Sequence, residues 1–280
     1  QKTYDYIIVG AGSAGCTLAG RLTEDPDIRV LLLEAGGWDR DPWIHIPLGW
    51  GRILQKRLHD WMYFAEASST MDNRRIECAR GKVVGGSSSI NAMAYYHGHP
   101  TDYDRWAATG LAGWSYAEVL PYFRRSEDWE GGADTWRGVG GPLTVRKTTF
   151  QDPLCEAILE AARDAQYPFT EDYNGENPDG FTRMQATLRN GRRWSAAAAY
   201  LRPALNRPNL TVQTKAYVRR IELDGLRATG ISYTRVGRSC AVRAAREVIL
   251  SGGTINSPHL LMLSGIGDPT HLRQHGINIV

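Results

Sequence analysis

The chain has 280 residues, 42% hydrophobic and 22% charged, a globular composition with enough length for one large domain or two ordinary ones. Its formal net charge of +3, spread along the sequence, is too mild to argue for nucleic acid or a membrane surface, and no apolar run reaches the roughly 18 residues of a transmembrane helix. The start runs directly into a strand-like segment, so no signal peptide is expected; Cys16, Cys78, Cys155 and Cys240 are far apart, which argues for reduced thiols in a cytoplasmic protein and against a metal or disulfide framework.

In chain order, the first predicted element is a buried strand over residues 6–9, followed by the turn Gly10-Ala-Gly-Ser-Ala-Gly15. A helix over 13–22 carries Ala14, Leu18, Ala19 and Leu22 at helical spacing, and "RVLLLE", residues 29–34, reads as a second buried strand ending in an acid. This is the order of a dinucleotide-binding unit. Gly10 permits the tight turn, Gly12 lets the backbone approach a pyrophosphate, and Gly15 lets helix and strand pack closely. The helix N-terminus offers free N–H groups to phosphate, and Glu34, 19 residues after Gly15, can accept from a ribose diol. The unit alone leaves NAD and FAD open, since both contain adenosine diphosphate. The regular alternation stops after Gly37, and the irregular, Trp-, Pro- and Arg-rich stretch 38–79 favours the larger FAD.

Two further glycine motifs follow. In "ARGKVVGGSSSINAMAYYHGHPTDYDRW", residues 79–106, Gly85-Gly86 and the serines 87–89 suit a ligand-facing loop, with 91–94 opening a helix or turn. In "REVILSGGTINSPHLLMLSGIG", residues 246–267, a strand over 248–250 leads through Gly252-Gly253 to a helix over 256–263, with Pro258 near its start and Ser264-Gly265-Ile266-Gly267 closing it. The two stretches resemble the signature patterns of the glucose–methanol–choline (GMC) family of FAD-dependent oxidoreductases. The first maps through Gly81, Gly85, Gly86, Ser87, Asn91, Tyr95, Gly98 and Asp104; the second through Gly253, Ser257, Pro258, Leu260, Leu261 and the closing Ser264–Gly267 run. With the first unit the resemblance covers most of the chain, nearest to the bacterial choline-dehydrogenase-like branch with its aromatic and heteroaromatic alcohol oxidases.

The resemblance implies an α/β fold: a Rossmann-like FAD-binding domain in three layers on a parallel sheet, with parts of a second, α+β substrate domain. Residues 1–150 and 205–280 would form the discontinuous FAD domain, and about 151–204 the start of the substrate domain, whose large antiparallel sheet would lie mostly beyond residue 280. It implies FAD, hydride transfer from a primary alcohol to flavin N5, and oxygen or another acceptor taking the electrons. It places Ser13, Ala14, Glu34 and Ala35 on the adenosine diphosphate, and Ser87, Asn91, Ala92, Met93 and Ala94 along the pyrophosphate, ribityl chain and flavin. Val218 would meet the adenine through its backbone, and Trp61 falls where the family often has an aromatic near the cofactor, although a core tryptophan fits equally. Where some relatives attach flavin through a histidine, this chain has Ile90, so FAD is expected to be noncovalent. The family's catalytic histidine pair would lie beyond residue 280, which leaves no catalytic base assignable here and makes the chain read as a portion of a longer protein. A hydroxynitrile-lyase-type enzyme on the same scaffold, a non-catalytic FAD-binding module and a nicotinamide dehydrogenase are the alternatives.

The remaining stretches read structurally. Helices are expected from Ser115, with a capping box, and over 152–165, with an Asp cap and a core stripe of Leu154, Ile158, Ala161 and Ala162. "WSAAAAYL" resumes a helix, and 211–221 reads as one strand segment. His97 and His99 are expected to pack in a loop and His259 in a helix start; His45 and His59 are unassigned, His271 and His275 sit near a helix end, and no metal site is expected. Arg189, Arg192 and Arg193 form a basic cluster read as a solvated face over a phosphate or anionic-substrate site.

Overall fold

The computed structural model describes residues 2–280. It begins with β1 (Thr3–Val9), α1 (Ser13–Leu22) and β2 (Val30–Leu33), the strand–turn–helix–strand order expected from the sequence. The stretch 38–79 is less irregular than expected, because Asp41 accepts from the Trp43 N–H ahead of Pro42 and starts a helix there. It contains α2 (Pro42–His45), α3 (Gly49–Lys56) and the paired short strands β3 (Tyr63–Phe64) and β4 (Glu77–Cys78). Then come α4 (Pro100–Ala108), α5 (Tyr116–Ser126), β5 (Glu127–Trp129), β6 (Leu143–Lys147), α6 (Pro153–Asp164), β7 (Gln185–Ala186), β8 (Leu188–Arg189) and β9 (Arg192–Arg193). A π-helical turn at Ala197–Leu201, where the sequence suggests an ordinary helix, runs into α7 (Arg202–Ala204). The chain ends with β10 (Leu210–Gln213), β11 (Ala216–Asp224), β12 (Arg227–Arg235), β13 (Arg238–Leu250), α8 (Gly253–Leu263) and α9 (Pro269–Gln274). Lys215, with φ at 55°, breaks what the sequence suggests is one strand into β10 and β11.

The chain divides into two compact units, residues up to Ala92 with Ser195–Val280, and Met93–Trp194. This boundary falls elsewhere than the 1–150, 151–204 and 205–280 partition read from sequence. Residues 93–150 group with residues 151–194 because β6 pairs with both β5 and β7, and the Met93 carbonyl accepts from the Thr187 N–H.

The first unit is built on a six-stranded sheet in the order β10-β2-β1-β13-β12-β11. β10, β2, β1 and β13 run parallel, while β11, β12 and β13 form an antiparallel meander. β2 is buried along its whole length, as a parallel strand covered on both faces must be. One face packs Ile7, Leu31, Leu33 and Leu260; the other packs Ile8, Leu32, Cys16 and Ala19 of α1, and Leu201. Two layers of helix therefore sandwich the sheet, in keeping with the expected Rossmann-like class.

The second unit has the small sheet β5-β6-β7 and the hairpin β8–β9. α5 begins with the expected Ser115/Glu118 capping box, and Asp152 caps α6 by accepting from the Leu154 N–H. The apolar stripe of α6 is not core: Leu154 and Ile158 are 68% and 50% exposed, and only Ala162 is buried. The Arg cluster also differs from expectation. Arg189 and Arg192 are exposed, but Arg193 is buried, and burial lowers its pKa to about 10. The four cysteines are unpaired as thiols, and no helix among the described residues is long and apolar enough to cross a membrane.

Candidate functional site

A cavity of about 450 Å³ opens in the first unit, at the carboxyl ends of β1, β2 and β13, the side of an open α/β sheet where ligands bind. Its floor is the first glycine turn. Gly10 has φ at 101°, and a Cβ there would stand 2.5 Å from the Ser251 carbonyl oxygen, so the turn is held tight against the end of β13. A Cβ on Gly15 would lie 1.9 Å from the Gly10 carbonyl oxygen, which ties the approach of α1 to the turn.

Gly12 is different. Its φ of −78° suits any residue, and a Cβ would find nothing closer than the Gly86 Cα and Ser251 oxygen at 4.0 Å. No protein atom demands a glycine at this position. Facing it, Gly86 has φ at 54°, and a Cβ there would come within 2.7 Å of the Gly12 Cα. The first and second motifs thus meet backbone to backbone, leaving a side-chain-free cradle beside the N-terminus of α1. That is the geometry a diphosphate needs.

Glu34 follows β2 at one side of the cavity and is 5% exposed. Its Oε2 accepts from the Ala11 N–H at 2.9 Å and its Oε1 from the Gly36 N–H at 2.8 Å. Burial raises its pKa to about 7, against the two backbone donors and the charge of Lys82. A carboxylate with lone pairs still free is suited to take two ribose hydroxyls.

Part of the cavity's lining is aromatic. Trp61 stacks on Tyr63 at 5.8 Å and 6°, and Tyr217 meets it at 5.9 Å. Lys82 Nζ stands 4.6 Å from the Trp61 ring centre. Asp60 fixes this wall by accepting from the N–H groups of Met62 and Arg80 and from Arg57 Nε.

Residues 4–279 match the family described as GMC oxidoreductase. The chain belongs to this family. It is 48% identical over 275 residues to the oxygen-dependent choline dehydrogenase of Sinorhizobium medicae, covering 98% of this chain and 50% of that protein. It is 50% identical over 287 residues to the mitochondrial choline dehydrogenase of Homo sapiens, covering 100% and 48%. Among solved structures, pyridoxine 4-oxidase from Mesorbium loti matches with a TM-score of 0.95 at 40% identity, over 99% of this chain and 55% of that one. The chain spans about half the length of these relatives.

Of the cofactor-binding residues singled out from the sequence, Gly10, Gly12, Ser13, Ala14, Glu34, Ala35, Trp61, Ser87 and Val218 border the cavity, and Gly15 lies beneath its turn. Asn91, Ala92, Met93 and Ala94 do not border it. They also form no helix: Met93 is left-handed at φ 64°, and Ala94 bridges Ala186. The third motif contributes more than sequence reading assigned to it. Ser251 to Asn256 and His259 border the cavity, so His259 is not a packing residue as expected. The signal was present, since "VILSGG" before a helix repeats the logic of the first unit. α8 begins at Gly253, five residues before Pro258, which therefore sits inside the helix and has no N–H to donate to the Thr254 carbonyl. Ser264 at its end is fully buried and accepts from the Ile221 N–H at 2.9 Å, fastening α8 to β11.

The other histidines have ordinary partners. His45 meets the Asp39 carbonyl, His59 pairs with Asp41, and His99 caps α4. His97 stacks on Phe123, and His271 meets His275 edge-on at 4.7 Å.

Proposed function

We propose that this chain binds FAD noncovalently within an oxidoreductase that converts a small primary alcohol to an aldehyde, with oxygen or another acceptor taking the electrons. The observation that carries this reading is the side-chain-free cradle of Gly12 and Gly86 at the N-terminus of α1, flanked by Glu34. Three separate glycine segments wall the cavity, which favours an extended flavin dinucleotide over nicotinamide. The choline dehydrogenase and pyridoxine 4-oxidase relatives support alcohol chemistry.

When bound, FAD supplies the hydride-accepting chemistry. The chain's own residues do the holding. The α1 N–H groups and the Gly12–Gly86 backbones receive the diphosphate, Glu34 accepts from the ribose, and Val218 of β11 reaches the adenine side. Asn91 and Ala92, at the end of the first unit's opening segment, extend this reading toward the ribityl and flavin portion. Ile90 carries no nucleophile and is packed with Ile44, Ile53 and Val83, which supports a noncovalent flavin. The free cysteines fit a reducing cytoplasmic setting. Proton removal from the alcohol is assigned to no residue of this chain.

The test is the visible spectrum of the purified protein before and after acid precipitation. A flavin band near ~450 nm whose chromophore moves to the supernatant is expected. A yellow pellet would overturn noncovalent attachment alone. A colourless protein that takes up no added FAD would overturn the reading.

A further inference from the structure

Asn256 borders the cavity on α8, and the hydrogen bond that its side chain accepts comes from a residue 193 positions away. The Tyr63 hydroxyl donates to Asn256 Oδ1 at 2.5 Å. A carboxamide is asymmetric, with an oxygen that accepts and a nitrogen that donates. Tyr63 takes the oxygen, so the Asn256 Nδ2 donors are left without a protein partner among the described residues.

Tyr63 is itself held firmly. It stacks on Trp61, pairs with Cys78 in the β3–β4 ladder, and follows the Arg57–Asp60 ion pair, whose side chains are 8% and 3% exposed. Three non-glycine residues around it, Arg57, His59 and Met62, are left-handed at φ 49°, 57° and 62°. Such backbone persists only where its surroundings over-determine it, and it clusters at ligand sites.

We propose that Asn256 is a dinucleotide-binding residue and Tyr63 its positioning partner. Tyr63 locks the carboxamide so that its N–H₂ is offered to an acceptor atom of the adenosine diphosphate moiety. This rests on the dinucleotide reading of the cavity and adds to it a donor from the third motif, oriented by the excursion between the first and second. A simple strut between β3 and α8 is the competing account, and it needs only the Tyr63–Asn256 contact.

The test is calorimetric titration of flavin-depleted protein with ADP, and with adenosine, alongside the melting temperature of each variant. Asn256→Leu is expected to weaken ADP about tenfold and Tyr63→Phe about threefold, as loss of a hydrogen-bond donor and of its orientation should. The double variant should bind no more weakly than Asn256→Leu alone. If Asn256→Leu does not fold, Asn256→Asp carries the same expectation. It keeps an acceptor for Tyr63 and lacks the donor, and adenosine has no phosphate charge for it to repel. Affinities within twofold of the parent, with only the melting temperature lowered, would overturn the proposal in favour of the strut. Independent, additive losses would overturn the orienting role of Tyr63. A parent protein that binds neither ADP nor FAD would instead remove the cofactor reading.

Discussion

The two units handle polar groups in opposite ways. In the first, glycines and backbone N–H groups border an open cavity, and Glu34 and Asn256 retain hydrogen-bonding capacity that protein atoms do not use. In the second, the fully buried Arg137 uses its whole guanidinium on protein. It bonds Glu127 at 3.2 and 3.0 Å, Asp172 at 2.8 and 2.7 Å and Gln185 at 2.9 Å, and lies 4.0 Å from the Trp129 ring centre. Burial opposes ionisation of Glu127, but hydrogen bonds from His97, Arg137 and the Gly138 N–H outweigh it and hold the carboxyl below its usual range. Asp172 is held low in the same way, by Gln185, the Asn174 N–H and Arg137 against burial. A buried cluster of charges is thus a fastening, whereas unfilled space and unspent donors mark a site.

The largest effect should come from breaking the fastening. Arg137→Met strips Glu127 and Asp172 of their shared guanidinium and should lower unfolding stability by about 3–5 kcal/mol, a large part of the ~5–15 kcal/mol typical of a domain. The pH dependence should weaken as well. In the parent, depressed carboxyl values give stability that is present above their unfolded pKa and lost as pH falls through the lower folded value. In the variant the hydrogen bonds from His97, the Gly138 N–H, Gln185 and the Asn174 N–H remain but the guanidinium is gone, so both carboxyls are less depressed and less stability should be lost as pH falls from neutral toward 4.5, the unperturbed glutamate value. Urea unfolding at two pH values checks this. A variant as stable as the parent at neutral pH would make the network dispensable.

The cavity offers a sharper contrast within one loop. Gly15→Ala drives a methyl into the Gly10 carbonyl and should cost about 1–3 kcal/mol in stability as well as FAD binding. Gly12→Ala meets only 4.0 Å neighbours at an ordinary φ, so stability should stay within about 0.5 kcal/mol. Its methyl stands in the cradle instead, and FAD affinity should fall at least about tenfold. Thermal melts with and without FAD separate the two. If Gly12→Ala binds as the parent does, the cradle is not where the diphosphate lies.

Glu34 gives a smaller effect that pH can tune. Ribose hydroxyls donate to the ionised carboxylate, so binding should lower its pKa below the value of about 7 in the free protein. FAD or ADP affinity should therefore strengthen as pH rises toward about 7 and level off above it, with proton release on the acid side. Glu34→Gln should flatten this profile. A parent profile already flat between pH 5 and its free-state value of about 7 would remove Glu34 from the ribose.

Much of the first unit was legible because its signals are local. The turn from Gly10 to Gly15 sits between a buried strand and a helix, and α1 has the bounds its spacing predicts, Ser13–Leu22. The domain boundary was not legible, because nothing near residue 92 marks it; it is set by pairing between β6 and β7, about 40 residues apart. The cavity's third wall was visible as a motif but not as a site, since Asn256 gains its meaning only when Tyr63 is brought to it. The Arg137 cluster had no sequence signal at all: Glu127, Arg137, Asp172 and Gln185 share no spacing, and chain folding alone unites them.

The α6 stripe shows the limit of periodicity, and it yields the smallest effect. Leu154 and Ile158 lie four apart on a capped helix and read as core, yet they are 68% and 50% exposed. Periodicity reports which residues share a face, not what covers that face in the chain at hand. Leu154→Ser should therefore change the stability of this 280-residue chain by no more than about 0.5 kcal/mol, where a buried leucine truncated to alanine loses about 2–5 kcal/mol. Ala162, 5% exposed on the same helix, is the control, and a larger side chain there should destabilise by overpacking, about 1–3 kcal/mol. Urea midpoints for Leu154→Ser and Ala162→Leu decide the matter. A large loss at Leu154 would mean that its face is covered in solution and that α6 is core after all.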